Sequence, residues 1–140
     1  MYEELLIPFA LLLMRLWLGM TLLMQAGDKL FSIGIHNVSE ALEFKISRIK
    51  LSPSFYIFFT GLTSCLEFAG GILLILGLFK VFAFAMIGVN MLLVSLAFSL
   101  NSPMWDMRHF FPRFLILLLL MFLSHGNDWY SIDWIITKNI

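Results

Sequence analysis

Charge is scarce in this chain. Only 13% of its 140 residues are charged, against about 25% in an ordinary soluble domain. Hydrophobic residues make up 61% and aromatics 16%, and the mean hydropathy is +0.94. So little polar surface could not coat a soluble globule, so the chain is expected in a lipid bilayer. The formal net charge is zero and basic residues never form a long run, which excludes nucleic acid as a partner. There is one cysteine, Cys65, so no disulfide can close within the chain and a paired-cysteine thiol oxidoreductase is excluded. The three histidines, His36, His109 and His125, fall at connections or helix ends, and no two share a depth. Neither bis-histidine haem nor any metal site is therefore expected. No internal repeat and no composition shift divides the chain, so residues 1–140 are expected to form one transmembrane domain.

Four long apolar segments are present. About 20 apolar residues cross the hydrocarbon core as a helix, and a lone strand could not satisfy its backbone there. Spans are expected at about 5–26, 53–79, 81–100 and 110–125, the second opened by Pro53 and the fourth carrying Arg113 in its first turn. The start, Met1-Tyr2-Glu3-Glu4, is acidic where a signal peptide is basic, so the first apolar run is expected to be retained. Gly77-Leu78-Phe79-Lys80 leaves almost no loop and makes spans two and three antiparallel neighbours; 101–109 is expected to be a short polar turn. In the first connection, Val38, Ala41, Leu42, Ile46 and Ile49 recur at helical spacing opposite Glu40, Glu43, Arg48 and Lys50. That pattern predicts an interfacial amphipathic helix over 38–50, with Asn37 as its N-cap. The fold class is all-α: an antiparallel four-helix membrane bundle with an interfacial helix. Lys45, Arg48, Lys50 and Arg108 outnumber Lys80 and Lys138, which by the positive-inside rule puts both termini outside.

Against this apolar background a few polar residues stand out. Arg15, Glu67 and Asn90 each fall near the middle of their span. An ionisable group at such depth faces the bundle interior and marks a site or a pairing. Thr60, Thr63, Ser64, Gly70 and Gly71 share the Glu67 face, and Gly19 lies one turn from Arg15; such small residues let helices approach closely. The midpoint arithmetic predicts an Arg15–Glu67 ion pair with Asn90 within reach. Two readings stand: a structural clasp between the first two spans, or a polar patch that binds a quinone head group, a metabolite or a proton. Phe55, Tyr56, Phe58 and Phe59 form either an aromatic belt or the mouth of a quinone cleft. Cys65 is expected on another side of the helix from Glu67, as a packed thiol.

Three stretches also resemble signatures of the DoxX family. Arg15-Leu16-Trp17-Leu18-Gly19 followed by Gly27-Asp28-Lys29-Leu30 is similar to its opening motif. The run Glu67-Phe68-Ala69-Gly70-Gly71, continuing to Gly77-Leu78, resembles its second-helix motif. Gly126 to Asp133, with Ser131 and Asp133, resembles its closing motif, although Asp128 stands where glycine is usual, and Phe79-Lys80 stands where Thr-Arg is common. The resemblance implies a four-helix protein of the bacterial inner membrane with cytoplasmic termini, opposite to the charge count. It implies Gly19, Gly27, Lys29, Gly70, Gly71, Gly77, Ser131 and Asp133 as motif residues. It further implies a non-catalytic membrane subunit of a redox complex, with a soluble or membrane protein partner and a quinone as the cofactor in view. A non-enzymatic assembly factor, a small-solute or proton carrier, and a homo-oligomer are alternatives that the residues leave open.

Overall fold

A computed structural model describes residues 2–46, 51–99, 103–124 and 128–139. Arg48, Ile49 and Lys50 of the amphipathic stretch, and His125 to Asn127 of the closing motif, lie outside the described residues, as do the side chains of 103–109. Every regular element among the described residues is helical: α1 Tyr2–Gly27, a π-helical turn Asp28–Ser32, α2 Ile35–Lys45, α3 Pro53–Leu76, α4 Lys80–Ser99, α5 Pro103–Leu123 and α6 Ile132–Asn139. The protein is an all-α polytopic membrane protein. Three helical segments are long and apolar enough to cross a bilayer, Leu5–Ser32, Pro53–Leu76 and Lys80–Ser99, and Phe110–Leu123 is a shorter apolar helix.

Local chemistry sets the helix ends. Ser52 caps α3, its Oγ accepting from the Phe55 N–H at 3.3 Å, and Pro53 occupies the first helical position, where a missing N–H costs nothing. At the other end Gly77 takes the left-handed conformation (φ 66°). There the Gly77 N–H donates to the Leu74 carbonyl and the Leu78 N–H to the Leu73 carbonyl, a Schellman ending. Pro103 similarly opens α5, so the expected 101–109 turn is largely helix, and the fourth helix begins well before Phe110.

The first connection also departs from expectation. α1 does not stop at Gly27 but widens into a π turn, with the Ile33 N–H donating to the Asp28 carbonyl at 2.8 Å. Gly34 (φ 86°) then breaks the helix and is the residue before α2; Asn37 lies inside the first turn and donates to the Ile33 carbonyl rather than capping. α2 turns His36, Asn37, Glu40 and Glu43 outward and packs its other side along α3, Ile35 against Gly61. Lys45 sits 4.5 Å over the Phe98 ring of α4.

Inside the bundle, Leu11, Leu18 and Leu22 of α1 meet Leu74 of α3, Phe84, Ile87 and Met91 of α4, and Leu117 and Leu120 of α5. Lipid is as apolar as these leucines, so close backbone approach has to supply much of the helix association. α3 provides it on two adjacent sides. A Cβ on Gly71 would lie 2.9 Å from the Gly19 carbonyl oxygen, so α1 crosses there backbone to backbone. A Cβ on Gly70 would lie 2.6 Å from Ile87 Cγ1, so α4 presses in beside it. Glu67, one turn along, is thereby enclosed between α1 and α4. Arg113 of α5 donates to Gln25 Oε1 of α1 at 2.6 Å, which satisfies one of its donors inside the bundle.

Candidate functional site

The Gly19–Gly71 crossing decides which charges meet. α1 and α3 run antiparallel, so one turn back from Gly19 leads toward the C-terminal end of α3, while one turn back from Gly71 leads toward the C-terminal end of α1. Arg15 and Glu67 thus lie two turns apart along the bundle, about 11 Å. The Arg15 side chain also tilts toward its own N-terminus, away from Glu67. The expected Arg15–Glu67 pair is therefore not formed. Aligning the midpoints of two spans ignored the register that their glycines impose.

Each charge has another partner. Arg15 Nη1 donates to both carboxylate oxygens of Asp128 at 2.9 Å, and Nη2 donates to the Tyr130 carbonyl at 2.7 Å. Lys80 Nζ is 3.5 Å from Asp128, and both Arg15 and Asp128 are almost fully buried, at 2% and 3% exposure. Around them the closing segment locks onto the α3–α4 turn. Asp133 accepts from the backbone N–H groups of Phe79 (2.9 Å) and Lys80 (2.8 Å), capping α4 from across the chain. Its own N–H donates to the Gly77 carbonyl at 3.1 Å. Ser131 Oγ donates to the Asp128 carbonyl and accepts from the Trp134 N–H. Gly77 has two reasons to lack a side chain: its positive φ, and an added Cβ that would lie 2.7 Å from Arg15 Nη1. Arg15, Gly77, Ser131 and Asp133, far apart in the chain, form one clasp at one end of α3. The partner that sequence reasoning missed is Asp128. The available signal was that a buried arginine demands an anion, and Asp128 was one of two acids, with Asp133, in the aromatic closing stretch.

The second cluster surrounds Glu67. Lys29 Nζ donates to Glu67 Oε2 at 2.6 Å, with Lys29 29% exposed and Glu67 only 7%. Asn90 Nδ2 donates to Glu67 Oε1 at 3.4 Å, so the expected proximity of Asn90 to Glu67 is present. The π turn delivers Lys29 here, carrying it beyond the end of α1 and back onto α3, where Phe31 packs edge-on against Phe68 at 5.9 Å between ring centroids. Thr60 Oγ1, Ser64 Oγ and Asn90 Oδ1 are buried around this pair without a hydrogen-bond partner in the protein. Each such group costs about 1–3 kcal/mol when left unsatisfied. A cavity of about 80 Å³ adjoins the pair, lined by Lys29, Thr60 and Thr63 on its polar side and by Leu42, Phe59 and Ala97 among its apolar residues. It shares Leu42, Phe59 and Ala97 with an apolar groove of about 260 Å³ that also takes in Phe55, Tyr56 and Leu93. Phe58 faces outward, away from this groove. Cys65 also points away from Glu67, and it is exposed on the outer surface instead of packed.

The DoxX family model matches residues 10–100. The chain belongs to the DoxX family. The matched stretch carries Arg15, Gly19, Lys29, Glu67, Gly70, Gly71, Gly77 and Asn90, and it ends before the Asp128–Asp133 half of the clasp. No curated protein and no solved structure matches this DoxX protein significantly. Gly27, also a motif residue, has nothing within 4 Å of an added Cβ, and nothing in the structure explains a glycine there. No group of three or more histidine, cysteine, aspartate or glutamate side chains capable of holding a metal ion occurs among the described residues.

Proposed function

We propose that this DoxX protein is a single-domain membrane subunit of a redox complex, and that Lys29 and Thr60, with Glu67 and Asn90 behind Lys29, hold the polar head of a quinone-class ligand. The observation that carries the reading is the shared wall of the two cavities: Leu42, Phe59 and Ala97 line both the apolar groove between α2, α3 and α4 and the smaller cavity with its polar end at Lys29 and Thr60. Together they reach the lower end of the volume range of small-molecule sites, about 300–1,000 Å³. Lys29 has ammonium donors beyond the one given to Glu67, and the Thr60 hydroxyl has no partner. Quinone carbonyls are acceptors, and an isoprenoid tail matches the aromatic and aliphatic groove. Glu67 and Asn90 orient Lys29 from behind. Arg15, held by Asp128, takes no part in this pocket. The family resemblance supports placement in a bacterial inner membrane with cytoplasmic termini and a protein partner that exchanges electrons with the bound head group.

Thr60→Val tests the pocket. In the ligand-free protein this nearly isosteric change removes an unpartnered hydroxyl and leaves stability unchanged or slightly raised. With a short-chain quinone titrated into purified protein in nanodiscs, it weakens binding by about tenfold, the equivalent of about 1.4 kcal/mol. Leu93→Trp, which fills the groove, abolishes binding. Unchanged affinity in both folded variants, or no binding to the wild type, refutes the site.

A further inference from the structure

The end of the bundle opposite Lys29 carries a second pair of recesses. One, of about 220 Å³, has Lys80, Asp128, Asp133 and Trp134 among its walls. Lys80, Asp133 and Thr137 also line a larger groove of about 750 Å³, whose remaining walls are apolar and include Phe82 and Ala85 of α4 and Ile136 of α6. α3 ends at Leu76 and α4 begins at Lys80, and both are long and apolar enough to span. The polar recess therefore lies at the height of lipid head groups, and the groove beside it faces hydrocarbon. Phe82 is 63% exposed, and Ala85 on the same side of α4 is exposed with only a methyl group to fill the space. Trp134 stacks with Trp129 beside the recess, an aromatic pair suited to that depth.

The charges around the recess do not cancel. Asp128 already accepts two bonds from Arg15, and Asp133 accepts from the Phe79 and Lys80 N–H groups. Lys80 Nζ, 3.5 Å from Asp128, is too distant for a strong charge-assisted bond, and an ammonium has three donors to place. Lys138 stands 4.7 Å over the Trp134 ring. Among the described side chains here, three cations (Arg15, Lys80 and Lys138) meet two carboxylates (Asp128 and Asp133), and the N-terminus of α4 adds further positive potential. One positive charge is left over, at head-group height and above an apolar groove. We propose that this recess binds one anionic phospholipid of the phosphatidylglycerol type, with its phosphate on Lys80 and an acyl chain along Phe82 and Ala85. Basic recesses between membrane helices recognise anionic head groups in this way. The glycerol hydroxyls donate to the Asp133 carboxylate and to the Thr137 oxygen, whose own proton goes to the Asp133 carbonyl at 2.7 Å. The lipid bridges α4 and α6, and it is independent of the quinone reading, since Lys29 and Lys80 serve opposite ends of α3.

Native mass spectrometry reads the site directly. Protein delipidated in mild detergent is titrated with phosphatidylglycerol, phosphatidylethanolamine and phosphatidylcholine of identical chains. One equivalent of phosphatidylglycerol is expected to bind about tenfold more tightly than either zwitterionic lipid. Lys80→Gln removes the cation while Arg15 still holds Asp128, and it brings phosphatidylglycerol down to the level of the other two; Lys80→Arg keeps the preference. Ala85→Trp, at an exposed position, fills the groove without touching a charge and weakens binding about tenfold as well. Equal binding of the three lipids by the wild type, or undiminished phosphatidylglycerol binding in either folded variant, Lys80→Gln or Ala85→Trp, overturns the site. Displacement of the lipid by millimolar glycerol phosphate assigns the recess to a soluble phosphate ester and overturns the lipid reading.

Discussion

The sharpest test of the charge arrangement is a pair of double-mutant cycles centred on Arg15. Asp128→Asn leaves two cations, Arg15 and Lys80, facing a neutral amide, with only the amide oxygen and the Tyr130 carbonyl as acceptors and no compensating charge. Breaking one half of a buried ion pair costs about 3–5 kcal/mol, and this variant belongs at the upper end. Arg15→Met is milder, because Asp128 keeps Lys80 at 3.5 Å. The double variant restores part of the loss, since neither charge is then stranded, and the coupling between the two positions is about 1–3 kcal/mol. Arg15→Met combined with Glu67→Gln is additive within about 0.5 kcal/mol, because the groups share no partner and lie about two turns, or 11 Å, apart along the bundle. The measurement is reversible unfolding in mixed detergent micelles, followed by tryptophan fluorescence near Trp129 and Trp134. A coupling between Arg15 and Glu67 larger than that between Arg15 and Asp128 would refute the register set by the glycine crossing.

Three further outcomes follow from the packing. Gly71→Ala places a methyl group 2.9 Å from the Gly19 carbonyl and 3.1 Å from the Leu23 nitrogen, both backbone atoms that yield only if α1 moves; a loss of about 1–3 kcal/mol is expected in the same unfolding assay. Gly27→Ala is its control, having ordinary helical backbone (φ −58°) and open space, and should be neutral or stabilising by up to about 1 kcal/mol. Gly77→Ala combines a positive φ with contacts of 2.7 Å to Arg15 Nη1 and 2.8 Å to Ser131 Cβ. A loss of about 2–4 kcal/mol is expected, together with protease sensitivity of the C-terminal segment, whose docking depends on Arg15. An equally stable, equally resistant Gly77→Ala protein would contradict the clasp.

Much of this molecule was legible from residue order, because the bilayer imposes one-dimensional rules. Long apolar runs must be helices, Pro53 must open one, and Gly19, Gly70 and Gly71 must lie where backbones touch. The family motifs and the depth of Glu67 and Asn90 were visible for the same reason: helical rise converts residue number into height. Pairing was not visible, because it depends on how two rods slide past each other, and that is fixed by contacts distant in sequence. The Gly19–Gly71 crossing moved Arg15 to the end of the bundle and gave it Asp128, an acid that had looked like a departure from the closing motif. The π turn after Gly27 kept the chain running along α3 and brought Lys29 to Glu67. By itself the sequence determined that charges lie buried in an all-α membrane bundle; the tertiary structure alone decided that they form two separate pairs, one a clasp and one beside a cavity, because helix register is a sum of packing contacts that no single segment contains.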